Sequence, residues 1–357
     1  MNAAFQRLLA VLRQPDALAR VDAAGWDGLL RHSRSAGLLS RLALDARDAG
    51  LWEALPDRVR RHMRGACFVA DRQINAIRWE VHKLHEALGH HGMPIVLLKG
   101  AAYVMGDLPP ARGRLFGDVD LLLPRDRLDE AERLLHLYGW HGAGLDDYDQ
   151  RYYREWMHEI PPMTHFSRGS TLDVHHNILP RTARLKPRAE TLLAGIEPIP
   201  GYTNLYRLGD ADLVLHAATH LFHEGEWGHG LRDLVDLDAL LRHFMARPGF
   251  LAELGRRAAE LDLRQPLAYA LGCVRTTLGT PLGDPALVAE LEAPAHALVR
   301  VALGHGFASA HPDMASPGAA AALLFLYVRS HWLKMPPHLL IPHLLHKALA
   351  AGEVEKA

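Results

Sequence analysis

A chain of 357 residues that is 49% hydrophobic and 23% charged can fill two or three packed units and is too apolar to remain disordered. Its 40 basic and 41 acidic residues leave a net charge of -1, which excludes the bulk basic excess of a polyanion binder. Two cysteines, Cys67 and Cys273, build neither a disulfide framework nor a four-cysteine zinc site; they read as the reduced thiols of a cytoplasmic protein. Leu8 to Leu12, flanked by Arg7 and Arg13, suits an amphipathic helix and not a signal peptide. Ala319 to Val328 is the longest apolar run, about half of a membrane crossing, so no transmembrane segment is expected and a buried helix is.

Residues 1 to 90 carry apolar positions at helical spacing. Ile77, Val81, Leu84 and Leu88 form one stripe, closed by Gly89 and Gly92. The period then changes: Ile95-Val96-Leu97-Leu98, between Pro94 and Lys99-Gly100, predicts a strand covered on both faces. A short helical piece leads into the loop from Pro109 to Arg114. Val119 to Leu123 predicts a second buried strand, halted by Pro124. Asp126 and Asp129 have the spacing of a capping box before a helix with Leu128, Ala131, Leu134 and Leu135 on its apolar face. Residues 141 to 157 lack a clear period and read as loop. Met163–Phe166 and Thr171–His175 flank Ser167-Arg168-Gly169-Ser170, a hairpin signature. Pro198, Pro200 and Gly201 mark a junction, after which the helical period returns and strands are not expected. The expected organisation is a helical region over 1–90, a small α/β core over 91–204 and a helical domain over 205–357.

The informative segment is Gly117-Asp118-Val119-Asp120-Leu121-Leu122-Leu123. Side chains two apart on a strand share a face, so Asp118 and Asp120 point together and Val119 and Leu121 point opposite. Two carboxylates side by side at the start of an apolar strand repel each other and lose hydration. A hard divalent cation removes that cost. In Leu172-Asp173-Val174-His175 a third carboxylate shares a strand face with a histidine. If the two strands pair, three carboxylates converge, a set able to hold two ions around an in-line phosphoryl displacement. Asp-x-Asp alone is common at solvated strand ends; the ordered set of strand, Lys-Gly, helix, arginine loop, Asp-x-Asp strand and hairpin is more specific.

That set, Leu97-Leu98-Lys99-Gly100, Arg114 four residues before Asp118, Asp118-Val119-Asp120-Leu121-Leu122 and Leu172-Asp173-Val174-His175, resembles the uncharacterised bacterial nucleotidyltransferase family of the polymerase-β-like superfamily. The match covers roughly residues 93 to 180, and more loosely Leu213 to Leu241. It implies an α+β fold with a small mixed sheet and flanking helices. It also implies Mg²⁺- or Mn²⁺-dependent transfer of a nucleoside monophosphate from a nucleoside triphosphate. The acceptor, a small molecule, protein or RNA, is not legible. By the resemblance Asp118, Asp120 and Asp173 are the catalytic, metal-binding carboxylates. The superfamily carries Gly-Ser near the triphosphate where this chain has Gly100-Ala101, and its Gly-to-Asp interval is shorter. The missing hydroxyl supports an alternative, a nucleotide-binding or regulatory module of the same fold without turnover.

Phosphate contacts are then expected from Lys99, from the backbone at Gly100, and from the planar guanidinium groups of Arg114 and Arg112. His175 stands beside Asp173 as an outer-shell partner or as a half-exposed polar residue. Arg232 and Asp236 have the spacing of a helical ion pair, and the resemblance makes them candidates for the pocket wall. His216, His220 and His223 share one helical face. Zinc hydrolases of that helical type place Glu directly after the first histidine, where this chain has Ala217, so a His-based zinc hydrolase is the lesser alternative.

Overall fold

The computed structural model describes residues 2–342 apart from 143, 145, 146 and 224, and at 147 and 149 the backbone alone. The N-terminal period becomes α1 (Ala3–Arg13), α2 (Ala23–Ser35), α3 (Leu39–Asp48) and the long α4 (Asp57–Ala87). Caps fix the first two starts: Asn2 accepts from the Ala4 N–H, and Asp22 from the Gly25 N–H at 2.8 Å. The predicted stripe of α4 is buried, and Gly92 follows with φ 74, a left-handed turn that glycine adopts without strain.

The core then alternates. In chain order come β1 (Ile95–Leu97), α5 (Lys99–Met105), β2 (Asp118–Leu122), α6 (Leu128–Leu137), β3 (Trp140–Gly142), α7 (Asp147–Arg151), β4 (Met163–His165), β5 (Thr171–His175), α8 (Ala189–Leu193), β6 (Glu197–Pro198) and β7 (Leu205–Arg207). The strands form one mixed sheet in the order β3-β4-β5-β2-β1-β7-β6. The expected hairpin is present, with Met163 opposite Leu172 and Thr164 opposite Thr171. The decisive pairing is β2 with β5, parallel, placing Asp120 directly beside Asp173. Val119, Leu121, Leu172 and Val174 on the opposite face are buried, each worth roughly 1.5–3 kcal/mol, and this drive seats the two strands together despite the charges on the other face.

The helical remainder comprises α9 (Asp210–His223), α10 (Gly230–Phe244), α11 (Phe250–Glu260), α12 (Arg264–Cys273), α13 (Pro285–Glu292), α14 (Ala297–Phe307) and α15 (Ala319–Lys334). Helix α9 is the hub: it packs on α10, α11, α12 and α15 and reaches α5 beside the sheet. Among the described residues no helix is long and apolar enough to cross a membrane.

Several expectations change. The sheet does not end before residue 205: β7 pairs parallel with β1, Leu205 with Ile95, because a three-residue strand is too short to show a period. Of the stretch 141–157 read as loop, residues 143, 145 and 146 lie outside the described residues. The rest holds the end of β3, α7 and a wide turn over Tyr152–Trp156. The capping box at Asp126 and Asp129 does not form; a tight turn over Arg125–Arg127 precedes α6, which has no side-chain cap. Ala319–Val328 is not a buried helix. In α15 Leu326, Ser330 and Leu333 are buried while Leu324, Tyr327 and Val328 stand open, since the helix lies at the edge of the domain and packs along one stripe. Residues 343–357 of the expected C-terminal domain lie outside the described residues.

Candidate active site

The cleft opens above the carboxyl-bearing face of β2, with the start of α5 on one side and α9 and α10 on the other. Its walls include Lys99, Asp118, Asp120, His220, Arg232 and Asp236, around a space of about 120 Å³. A larger groove of about 830 Å³, bounded by α8, α9 and α11, holds ion pairs of its own, Arg257 with Asp212 at 2.7 Å and Arg247 with Glu253 at 2.6 Å.

Strand alternation puts Asp118, Asp120 and Asp173 on one face, and one oxygen from each lies within 4.8 Å of the other two. At that spacing each charged pair costs about 3–4 kcal/mol for an effective dielectric near 20. The protein offsets part of this. Lys99 Nζ donates to Asp120 Oδ1 at 2.8 Å, and His175 Nε2 donates to the same oxygen at 3.1 Å. Burial alone would raise the pKa of Asp120, but these two partners hold it well below the usual range. Asp173 has no such donor among the described residues: burial first, then the Asp120 and Glu159 charges, push it up to about 7. Asp118 stands at the open rim, raised by the surrounding walls and by Asp120. One carboxylate is thus anchored and two are left short of positive charge.

Lys99 occupies the turn between β1 and α5 with φ 43, a left-handed value that costs a lysine on the order of 1–3 kcal/mol. That turn brings its ammonium back over β2. Gly100 follows because only a glycine fits there. A Cβ would come within 2.6 Å of the Phe116 ring and 2.8 Å of Arg114 Nη1. Ala101 is turned into the core, 1% exposed.

The basic residues part company. Arg114 lines the cleft, yet its Nε donates to Asp236 Oδ2 at 2.7 Å, and the guanidinium lies over the Phe116 ring at 5.2 Å. Burial works against its charge, and Asp236, Asp233 and Tyr103 together outweigh burial and keep it protonated. Arg112 points elsewhere: it grips Asp48 of α3 at 2.6 and 3.0 Å and does not line the cleft. The expected Arg232–Asp236 pair is not formed; Arg232 Nε donates to Asp233 Oδ1 at 2.9 Å, which leaves Asp236 to Arg114. His175 serves Asp120 and not Asp173.

His216, His220 and His223 are not among the described sets of three whose donor atoms converge within 4.8 Å. His220 alone lines the cleft, and burial holds all three neutral, His216 and His223 at about 3. The sequence reading missed Tyr103 on the cleft wall, and Glu159, whose Oε2 lies 3.2 Å from His175 Nδ1. No local signal marked Glu159, which lies between the aperiodic stretch 141–157 and β4.

A mixed sheet bearing a carboxylate pair on one strand and a third carboxylate on its parallel neighbour, flanked by helices, is the core of the nucleotidyltransferase class. The chain belongs to the family of uncharacterised nucleotidyltransferases, whose pattern matches residues 22–279. That span is wider than the residues that carry the resemblance: it takes in α2–α4 and runs on through α12. Membership gives the chain a general role in nucleotidyl transfer. No curated protein and no solved structure matches it.

Proposed function

We propose that the protein transfers a nucleoside monophosphate from a nucleoside triphosphate to an acceptor hydroxyl or phosphate, using Mg²⁺ or Mn²⁺ held by Asp118, Asp120 and Asp173. The observation that carries the reading is the convergence of those carboxylates beside a cleft whose walls bring Asp118 and Asp120 together with Lys99 and Arg232. The donor set suits the ion: all oxygen, open at the Asp118 rim, and deficient in positive charge at Asp118 and Asp173. When bound, such ions neutralise the triphosphate and acidify the acceptor hydroxyl.

The chain's own residues have distinct tasks. Asp120, held by Lys99 and His175, is the fixed member of the carboxylate set, and Asp118 and Asp173 close on it. Lys99 supplies positive charge at the β1–α5 turn for the phosphates. Arg232 is the guanidinium on α10 that faces the cleft, while Arg114 is a positioning residue that ties the loop before β2 to Asp236 of α10. Ala101 leaves the phosphates without a side-chain hydroxyl at that turn.

The test uses the purified chain with labelled triphosphates, Mg²⁺ and cell extract, following pyrophosphate release and the molecule that gains label. Asp118→Asn or Asp120→Asn should cut transfer at least about a hundredfold, equivalent to about 2.7 kcal/mol. Arg112→Ala should leave triphosphate binding unchanged. Metal-dependent triphosphate binding without any transfer would replace this reading with that of a nucleotide-binding module, which Ala101 favours. Transfer indifferent to both aspartate variants would defeat it.

A further inference from the structure

Just ahead of β4 the chain runs back along the end of β5. Glu159 bridges His175 in antiparallel register, the Ile160 N–H donates to the Val174 carbonyl at 3.0 Å, and the His176 N–H donates to the His158 carbonyl at 2.7 Å. Residues opposed in an antiparallel pair project to one side, so the Glu159 carboxylate meets the His175 ring, with Oε2 3.2 Å from Nδ1. The two atoms are close without making a hydrogen bond. His175 Nδ1 is buried with no hydrogen-bond partner, and so is His158 Nδ1. The rings of His158 and His175 lie beside each other, centroids 5.2 Å apart and 35° tilted. One donor atom from each of His158, Glu159 and His175 falls within 4.8 Å of the other two.

A buried polar atom left unsatisfied costs about 1–3 kcal/mol, and two neighbouring imidazole nitrogens beside a carboxylate repeat that cost at one place. A cation relieves both nitrogens at once, because each lone pair gains an acceptor, and the carboxylate beside them adds an oxygen ligand. Two imidazoles and a carboxylate select a borderline ion of the zinc type over Mg²⁺, which keeps to oxygen. We infer that His158, Glu159 and His175 form a second cation site, for Zn²⁺, distinct from the carboxylate set of Asp118, Asp120 and Asp173. Binding through His175 Nδ1 confines the ring proton to Nε2, the atom that faces Asp120 Oδ1 at 3.1 Å. The zinc site therefore sets the tautomer and orientation of the histidine that anchors Asp120. The inference does not depend on what the carboxylate cleft transfers.

The experiment takes the full chain, freed of metal with a chelator, and titrates it with Co²⁺ and then Zn²⁺. Visible Co²⁺ absorption and the bound-metal stoichiometry are read. The background is Asp118→Asn/Asp173→Asn, which dismantles the carboxylate set. One equivalent of Zn²⁺ that displaces Co²⁺ should persist in this background, and adding His158→Gln or Glu159→Gln should weaken it at least about a hundredfold. X-ray absorption at the zinc edge of the unsubstituted chain should show imidazole ligands, a readout independent of whether a variant folds. No retained equivalent in the double variant, unchanged affinity on adding His158→Gln, or an all-oxygen zinc environment would each overturn the inference. Absence of nucleotidyl transfer by the unsubstituted chain, with its zinc binding intact, would fault the cleft assignment alone.

Discussion

In the metal-free protein Asp173 ionises at about 7, because burial and then the Asp120 and Glu159 charges oppose it, against 3.8 as its ordinary value. Between those two values the folded state keeps a proton that the unfolded chain has released, so stability falls as pH rises through that window. The contribution is fully present below pH 3.8 and gone above pH 7. Multiplying the interval by 1.36 kcal/mol per pH unit gives about 4 kcal/mol. Asp173 is only half-buried, and solvent screening brings the figure nearer to about 2–3 kcal/mol. The variant Asp173→Asn has the shape of the protonated carboxyl at every pH. Urea unfolding of both proteins in a chelator, at pH 4.5 and pH 7.5, cancels what the other groups contribute. The variant should gain about 2–3 kcal/mol on the parent between the two pH values. Adding Mg²⁺ at pH 7.5 should restore the parent, by about 2.7 kcal/mol at a hundredfold excess over the dissociation constant, and restore the variant far less. A parent-to-variant difference that stays flat across the window, or shifts toward the parent at pH 7.5, would refute the crowding of carboxylates on which the site is built.

Two further outcomes follow from packing around the cleft. Asp236→Asn leaves the buried Arg114 charge with only the more distant Asp233, 3.8 Å away, and should cost about 3 kcal/mol in urea unfolding, while the double variant Arg114→Met/Asp236→Leu should recover most of it; a single-variant loss within about 1 kcal/mol would show that Asp233 suffices to hold Arg114. Gly100→Ala forces a Cβ against Phe116 and Arg114 and should lower stability by about 1–3 kcal/mol, measured by thermal unfolding, and an unchanged melting temperature would mean that the α5 turn has slack.

Much of the cleft was legible before any tertiary structure. The change from helical to strand period near residue 93, and the alternation Asp118-Val119-Asp120-Leu121, fix which side chains share a face, because backbone geometry alone imposes the two-residue repeat. The hairpin turn at Ser167–Ser170 directs β5 back along β4 for the same local reason. Strands as short as β3, β6 and β7 escaped notice, since two or three residues contain no period and exist only because a neighbour pairs with them.

Partnership was the other matter the sequence left open. Lys99 with Asp120, Arg114 with Asp236, Arg112 with Asp48 and Glu159 with His175 are pairings across 21, 122, 64 and 16 residues, the last being 175 minus 159. Arg112 and Arg114 lie two residues apart in one loop, and only Arg114 belongs to the set that carries the resemblance. In the fold one reaches solvent and α3, and the other is buried against α10. A local pattern specifies the direction of a side chain relative to its own backbone. Which opposite charge waits there depends on how helices from distant parts of the chain cross the sheet. That is decided by burial of the apolar faces, to which the charges then adapt.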